Sequence, residues 1–237
     1  AATSPAVHER LSLLQSIDAS TLTRLDLSLS TSEASPLSGN CRTLLALFRE
    51  SRDRVTNELK MVQAVSFRLQ PCLRDIWHNH VLFSDNRVTG VIDPSACRME
   101  NVATDLSRLI GSLVGDNRDD WDVAIRAYQE HRTLTTNELA LVSVLDRSGT
   151  LLSSWTWLDW LLIHKRSFGN LALVENRLNE LIPRLEALAG TEAPSNRIIL
   201  KLSTIVSFKI VGPLPTPFLN LPSRLNRSLI VAGIGSR

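Results

Sequence analysis

Glycine is scarce in this 237-residue chain, ten in all, and no three are spaced as a phosphate-cradling Gly-x-Gly-x-x-Gly loop requires. Cysteine is scarcer: Cys41, Cys72 and Cys97 are too few and too scattered for a disulfide framework or a zinc cluster. Reduced thiols and a cytoplasmic location are therefore expected. No apolar run reaches the roughly 18 residues that a membrane-spanning helix needs. The opening Ala1-Ala2-Thr3-Ser4-Pro5 has no charged region leading into an apolar one, so no signal peptide is expected. A Gly-x-Ser-x-Gly elbow is missing too, which disfavours a serine hydrolase. Charge of one sign is also lacking: 26 Lys+Arg stand against 24 Asp+Glu, a formal +2 with no global pull toward nucleic acid or an anionic membrane.

What is present is the composition of a folded protein, 43% hydrophobic and 21% charged, long enough to bury a sizeable core. The small net charge averages two unlike parts. Residues 191–237 hold six basic residues and one acid, a net +5, with five of the ten prolines, and the first 190 residues carry −3. That shift sets a boundary near Gly190-Thr191 and predicts a loosely ordered basic tail over 191–237. Ahead of it, residues 1–40 are expected to be partly disordered or helical, and 41–190 to form a helical domain.

Apolar residues recur at helical spacing in Leu44, Leu45, Leu47 and Phe48, then Val62, Val65, Phe67 and Leu69, predicting a helix over about 42–68. Leu106, Leu109, Ile110 and Leu113 share one face of a helix from Asp105 to Val114. Asp119-Asp120 is expected to cap the next helix, and Thr135 with Glu138 the one after. Leu151–His164 is apolar nearly all round and reads as a buried helix. Leu171, Val174, Leu178, Leu181 and Leu185 predict a last helix over 170–188, which Gly190 can terminate.

The exception to helix lies in the middle. His80-Val81-Leu82-Phe83 is a short apolar run, Ser84-Asp85-Asn86 a turn signal, and Arg87-Val88-Thr89-Gly90-Val91-Ile92 a second β-rich run. This predicts a β-hairpin with one acid just before it, Asp75, and one just after, Asp93. A hairpin holds its ends together, so the two carboxylates converge where a proton acceptor and a divalent-cation ligand are both useful. A transition-metal site from His78, His80, Asp75 and Asp93 is a second way to use the same residues.

The run Leu73-Arg74-Asp75-Ile76-Trp77-His78-Asn79-His80-Val81-Leu82-Phe83, then Gly90-Val91-Ile92-Asp93, then Asp105-Leu106-Ser107-Arg108-Leu109, resembles the aminoglycoside phosphotransferase and choline-kinase-like family. There the pattern is His-Gly-Asp, four residues, Asn, an apolar strand, a turn, Val-Ile-Asp, and a helix bearing Asp-Leu-Ala-Arg. The spacing matches without insertion from Asp75 to about Leu113, and the likeness covers residues 70–165, or 40–190 with the flanking helices. It implies an α+β, mainly helical fold like the C-terminal lobe of a protein-kinase-like phosphotransferase, with a central hairpin. It also implies ATP, Mg2+ and a small hydroxyl-bearing acceptor as partners. Asp75 falls on the aspartate that receives the acceptor's proton, Asp93 on the magnesium aspartate, and Asp105 on the helical aspartate that braces the catalytic loop, beside Arg74.

The departures are specific. Leu73-Arg74 replaces His-Gly, and His80 stands where the metal-binding Asn is expected, a poorer magnesium ligand than an amide oxygen. Trp155, Trp157 and Trp160 line either a core or an acceptor pocket, with Asp159 on the same helix as a possible acceptor contact. Only about 70 residues precede Asp75, and the first lysine, Lys60, sits in a helical stretch, so the strand-rich lobe with its phosphate loop and Lys–Glu pair has no counterpart. Two readings follow: a truncated or divergent small-molecule kinase, or a catalytically inactive pseudokinase remnant serving as a binding or structural module.

Overall fold

The computed structural model describes residues 1–31, 36–85 and 87–190, and the basic tail lies outside them. Seven α-helices and two small antiparallel sheets occur among these residues: α1 (Pro5–Ser16), α2 (Ala19–Thr31), α3 (Ser38–Gln63), β1 (Gln70–Cys72), β2 (Val81–Ser84), β3 (Arg87–Val91), β4 (Arg98–Glu100), α4 (Ala103–Val114), α5 (Arg118–Gln129), α6 (Thr136–Leu158) and α7 (Leu171–Gly190). Of the residues expected to be partly disordered or helical over 1–40, Pro5–Ser16 form α1, Ala19–Thr31 form α2, and Ser38 already begins α3.

The core is where α3, α6 and α7 pack, with α1 and α4 added to it. Leu44, Leu45, Phe48, Val55 and Leu59 of α3 meet Leu141, Leu145, Leu151 and Leu158 of α6 and Leu178 and Leu185 of α7. With the other buried positions of each helix, such as Ser51, Ser148, Ser154 and Leu181, these recur every three or four residues, so each helix buries one stripe. Full burial of a leucine removes about 2 kcal/mol worth of apolar surface from water, which makes this three-helix seam the main source of stability.

Helix ends follow local chemistry. Thr135 caps α6 as part of a capping box, its hydroxyl accepting from Glu138 N–H at 3.2 Å while Glu138 accepts from Thr135 N–H at 2.9 Å. For α5 the cap is Asn117, one turn earlier than the Asp119-Asp120 expectation; those acids occupy the first turn, where the helix dipole favours them. The helix expected over 42–68 stops at Gln63, because Phe67 leaves it to bridge Ala2, each accepting the other's amide hydrogen. The helix expected to start at Thr135 and the one expected over 151–164 are one, α6, continued by a π-turn over Asp159–Ile163. Gly149 alone does not break it, since neighbouring turns keep their hydrogen bonds.

The hairpin forms as the sequence implies, with Val81 opposite Val91 and Ser84 opposite Arg87. The other sheet has no local signal: Gln70, Pro71 and Cys72 find partners only in Glu100, Met99 and Arg98, a pairing created by the fold. All three cysteines are free, and burial pushes the Cys72 thiol up to about 12, far from the thiolate a nucleophile needs.

Candidate active site

The β1–β4 pair holds the ends of the segment Leu73–Cys97, and α4 follows β4 at once. Asp105, in the first turn of α4, therefore lies under the loop leaving β1. Its two carboxylate oxygens accept the backbone amides of Leu73 (3.0 Å) and Arg74 (2.7 Å). Burial pushes the Asp105 carboxyl up, and the two amides pull against that shift. The loop then turns within three residues: Asp75 N–H donates to Leu73 C=O at 2.8 Å, with Arg74 in the left-handed region at φ 63°. That conformation is comfortable only for glycine, which accounts for the glycine of the family pattern at this place. Here the arginine takes the strained position, and its guanidinium is tied to Glu9 of α1.

The turn presents Asp75 at the surface, its side chain 57% exposed, with Arg108 Nε on one carboxylate oxygen at 3.2 Å. Arg108 stands three residues after Asp105, so one face of α4 carries both the loop's brace and its carboxylate's partner. A cavity of about 380 Å³ opens over this carboxylate, lined by Arg10, Arg74 and Arg98 against Glu9 and Asp75. Such a site offers an exposed base within reach of a hydroxyl, among guanidinium groups suited to phosphate oxygens.

The hairpin carries the other acid. Ile92 N–H donates to His80 C=O at 3.0 Å, which closes the open end of the hairpin beside Asp93. Asp93 takes the left-handed region at φ 55° and precedes the 3-10 turn Pro94–Ala96. Its Oδ1 accepts the Ser95 hydroxyl at 2.6 Å, and this bond holds the carboxyl below the usual carboxylate range, with His80 adding to the effect. His80 itself is engaged: its Nε2 accepts the Trp77 indole N–H at 2.7 Å. A neutral imidazole accepting at Nε2 carries its proton on Nδ1, a buried atom with no hydrogen-bond partner. As placed, His80 offers no lone pair to a cation. Burial lowers the pKa of His78, and its ring stacks edge-on to Trp77. No group of three or more His, Cys, Asp or Glu converges as a metal cage among the described residues. The donor set thus fits magnesium through the Asp93 carboxylate alone, a mode in which water and phosphate oxygens supply the remaining ligands.

Trp155 and Asp159 are not part of this assembly. Trp155 is 8% exposed and packs on Phe48 at 5.6 Å, so its ring belongs to the core. Asp159 pairs with His164 at 3.0 Å in the π-turn, which packs on α2. The other end of α6, at Glu138, meets Asn101 beside the braced loop, and a helix of this length separates the two ends by roughly 30 Å. Arg10, Glu9 and Arg98 are the site's neighbours that sequence reasoning missed. Arg108 was visible as part of the Asp-Leu-Ser-Arg motif, but nothing local marks Arg10, ninety-five residues before Asp105 in the chain.

The chain matches the model of the phosphotransferase enzyme family over residues 5–141. No curated protein matches it, and no solved structure does. The matched span takes in α1, the braced loop, the hairpin, Asp93 and Asp105, and it is more than half of the 237 residues. The chain belongs to the phosphotransferase enzyme family.

Proposed function

We propose that this chain is the helical lobe of a small-molecule kinase of the aminoglycoside phosphotransferase type, passing the γ-phosphoryl group of ATP to an acceptor hydroxyl. The observation that carries the reading is the bidentate grip of Asp105 on the Leu73 and Arg74 amides, which fixes an exposed Asp75 in an arginine-lined cavity. A positioning device of this kind suits a reaction in which placement and charge do most of the catalytic work.

In this reading Asp75 takes the acceptor's hydroxyl proton on the carboxylate oxygen that Arg108 leaves open. The acceptor O–H bond breaks, its oxygen forms the new bond to phosphorus, and ADP departs with the electrons of the broken bridge. Arg108 keeps the Asp75 carboxylate oriented, and Arg10, Arg74 and Arg98 attract the phosphoryl oxygens. Asp93 would hold magnesium, which supplies neutralising charge against the phosphates when bound.

One observation favours the second reading, an inactive remnant acting as a binding module: the His80 lone pair is taken by Trp77 where the family pattern has a metal-binding amide. Calorimetric titration with Mg-ATP separates the two. The kinase reading expects saturable binding that Asp93→Ala abolishes, while Asp75→Asn keeps binding and loses turnover. It also expects His80→Asn, which restores the amide oxygen, to tighten Mg-ATP. Absence of binding at millimolar Mg-ATP in both the parent chain and His80→Asn leaves only the module.

A further inference from the structure

A second cavity, of about 290 Å³, lies behind the Asp75 loop where α1, α4, α6 and α7 converge. Its charged lining is four arginines, Arg10, Arg108, Arg177 and Arg184, against two acids, Asp146 and Glu180. Both acids are already engaged. Arg184 grips Asp146 through two contacts of 2.7 and 2.9 Å, and Arg177 holds Glu180 at 2.9 Å. Arg108 gives its Nε to Asp75, outside the cavity. Arg10 has no carboxylate in ion-pair reach among the described residues; its Nη1 donates to the Leu145 carbonyl and to the Ser148 hydroxyl at 2.7 Å, both neutral.

Arg10 is half-buried, and a guanidinium partly drawn from water onto neutral acceptors gains from an anion that completes it. Burial brings Arg10 down to about 10, with Arg108 and Arg74 adding to the shift and Asp146 opposing it. Gly111 gives the Asp146 carboxylate its place, since a Cβ there would collide with it at 2.4 Å, and Gly149 lies beside the Arg10 guanidinium, where a Cβ would be in contact at 3.7 Å. The cavity wall thus combines charged side chains with hydroxyls, Ser107, Ser112, Thr150 and Ser153, on a floor that includes Leu145 and Leu181.

We propose that this cavity is an oxyanion-binding site, anchored by Arg10 with Arg108 and Arg177, for a small molecule bearing a phosphate or carboxylate group. The site does not depend on kinase activity. An anion seated there competes with Asp75 for Arg108, so occupancy reaches the exposed carboxylate through one side chain.

The test uses inorganic phosphate and acetate as probes on the full chain, with sodium chloride at matched ionic strength as control, read by calorimetry and melting temperature. Saturable binding of either probe with a rise in melting temperature beyond the chloride control is expected, and a stronger response to one identifies the group preferred. Arg10→Met, which keeps the aliphatic volume and removes the charge, should weaken the preferred probe at least about tenfold, as should Arg177→Gln on the opposite wall. Arg98→Gln, which touches only the cavity over Asp75, should leave affinity within about twofold. If Arg10→Met fails to fold, Arg177→Gln against Arg98→Gln decides. No saturable response beyond chloride, or binding that Arg98→Gln removes and Arg177→Gln spares, overturns the site.

Discussion

The braced loop that carries Asp75 and the hairpin end that carries Asp93 are held in different ways. Asp105, Glu100 and Asn101 on the loop side are buried or half-buried and spend their polar atoms on backbone groups and on the side chains of Ser4 and Glu138. Glu100 accepts from the Ser4 hydroxyl (2.8 Å), the Ala6 amide (2.6 Å) and the Asn101 amide (2.9 Å), and Asn101 donates to Glu138 (2.9 Å) and to the Arg68 carbonyl (2.8 Å). On the hairpin side Asp93 is exposed with one hydroxyl for company, and Leu82, Phe83, Val88, Val91 and Ile92 around it are exposed as well. The loop side is over-determined, so it can hold a strained Arg74 and still present Asp75 in one place. The hairpin side has little to fix it, and any function of Asp93 is a matter of what binds there rather than of what it supports.

That contrast predicts a gradient of effects. Asp105→Ala strands two amides and frees the strained turn, a loss of about 3 kcal/mol in urea denaturation; a loss below about 1 kcal/mol would mean that the brace is not structural. Glu138→Gln comes next, at about 2 kcal/mol near neutral pH, because it weakens the contacts to Arg132 (2.6 Å) and Asn101 (2.9 Å). Its pH dependence has a definite sign. Burial pushes Glu138 up, but the Thr135 amide, Asn101 and Arg132 outweigh it and hold the carboxyl below its ordinary 4.5. The stabilisation is therefore complete above pH 4.5 and lost as pH falls through the lower folded value, so denaturation curves of parent and Glu138→Gln should converge in acid.

A smaller effect separates two variants of one residue. Arg74→Gly and Arg74→Ala both lose the pair with Glu9, but only glycine relieves φ 63°, so the glycine variant should be the more stable by about 1 kcal/mol. Equal stabilities would show that the loop carries no strain. Smallest of all, Asp93→Ala should leave stability within about 0.5 kcal/mol while removing magnesium-dependent nucleotide binding in calorimetry. A marked loss of stability there would erase the difference between the two sides.

The sequence by itself determined the helices that bury a stripe every three or four residues, because that periodicity is a local property and survives any reasonable packing. It also determined the hairpin, whose turn residues Ser84-Asp85 and β-rich flanks are contiguous, and the register of Asp75, Asp93 and Asp105, which rests on spacing alone. Several outcomes rest on contacts between distant residues and were not legible. Phe67 leaves its helix for Ala2, and β1 exists only because residues 98–100 come back beside it. Trp155 faces the core because Phe48 of α3 lies against that side of α6. His80 loses its lone pair because a 3-10 turn swings Trp77 onto it, a geometry that no spacing rule contains. The arginines around Asp75 and in the cavity behind it come from three helices, a strand and a loop, so their charge is summed only after the chain has folded. Ten glycines and a net charge of +2 gave no hint of a cationic pocket, since composition averages over the whole chain.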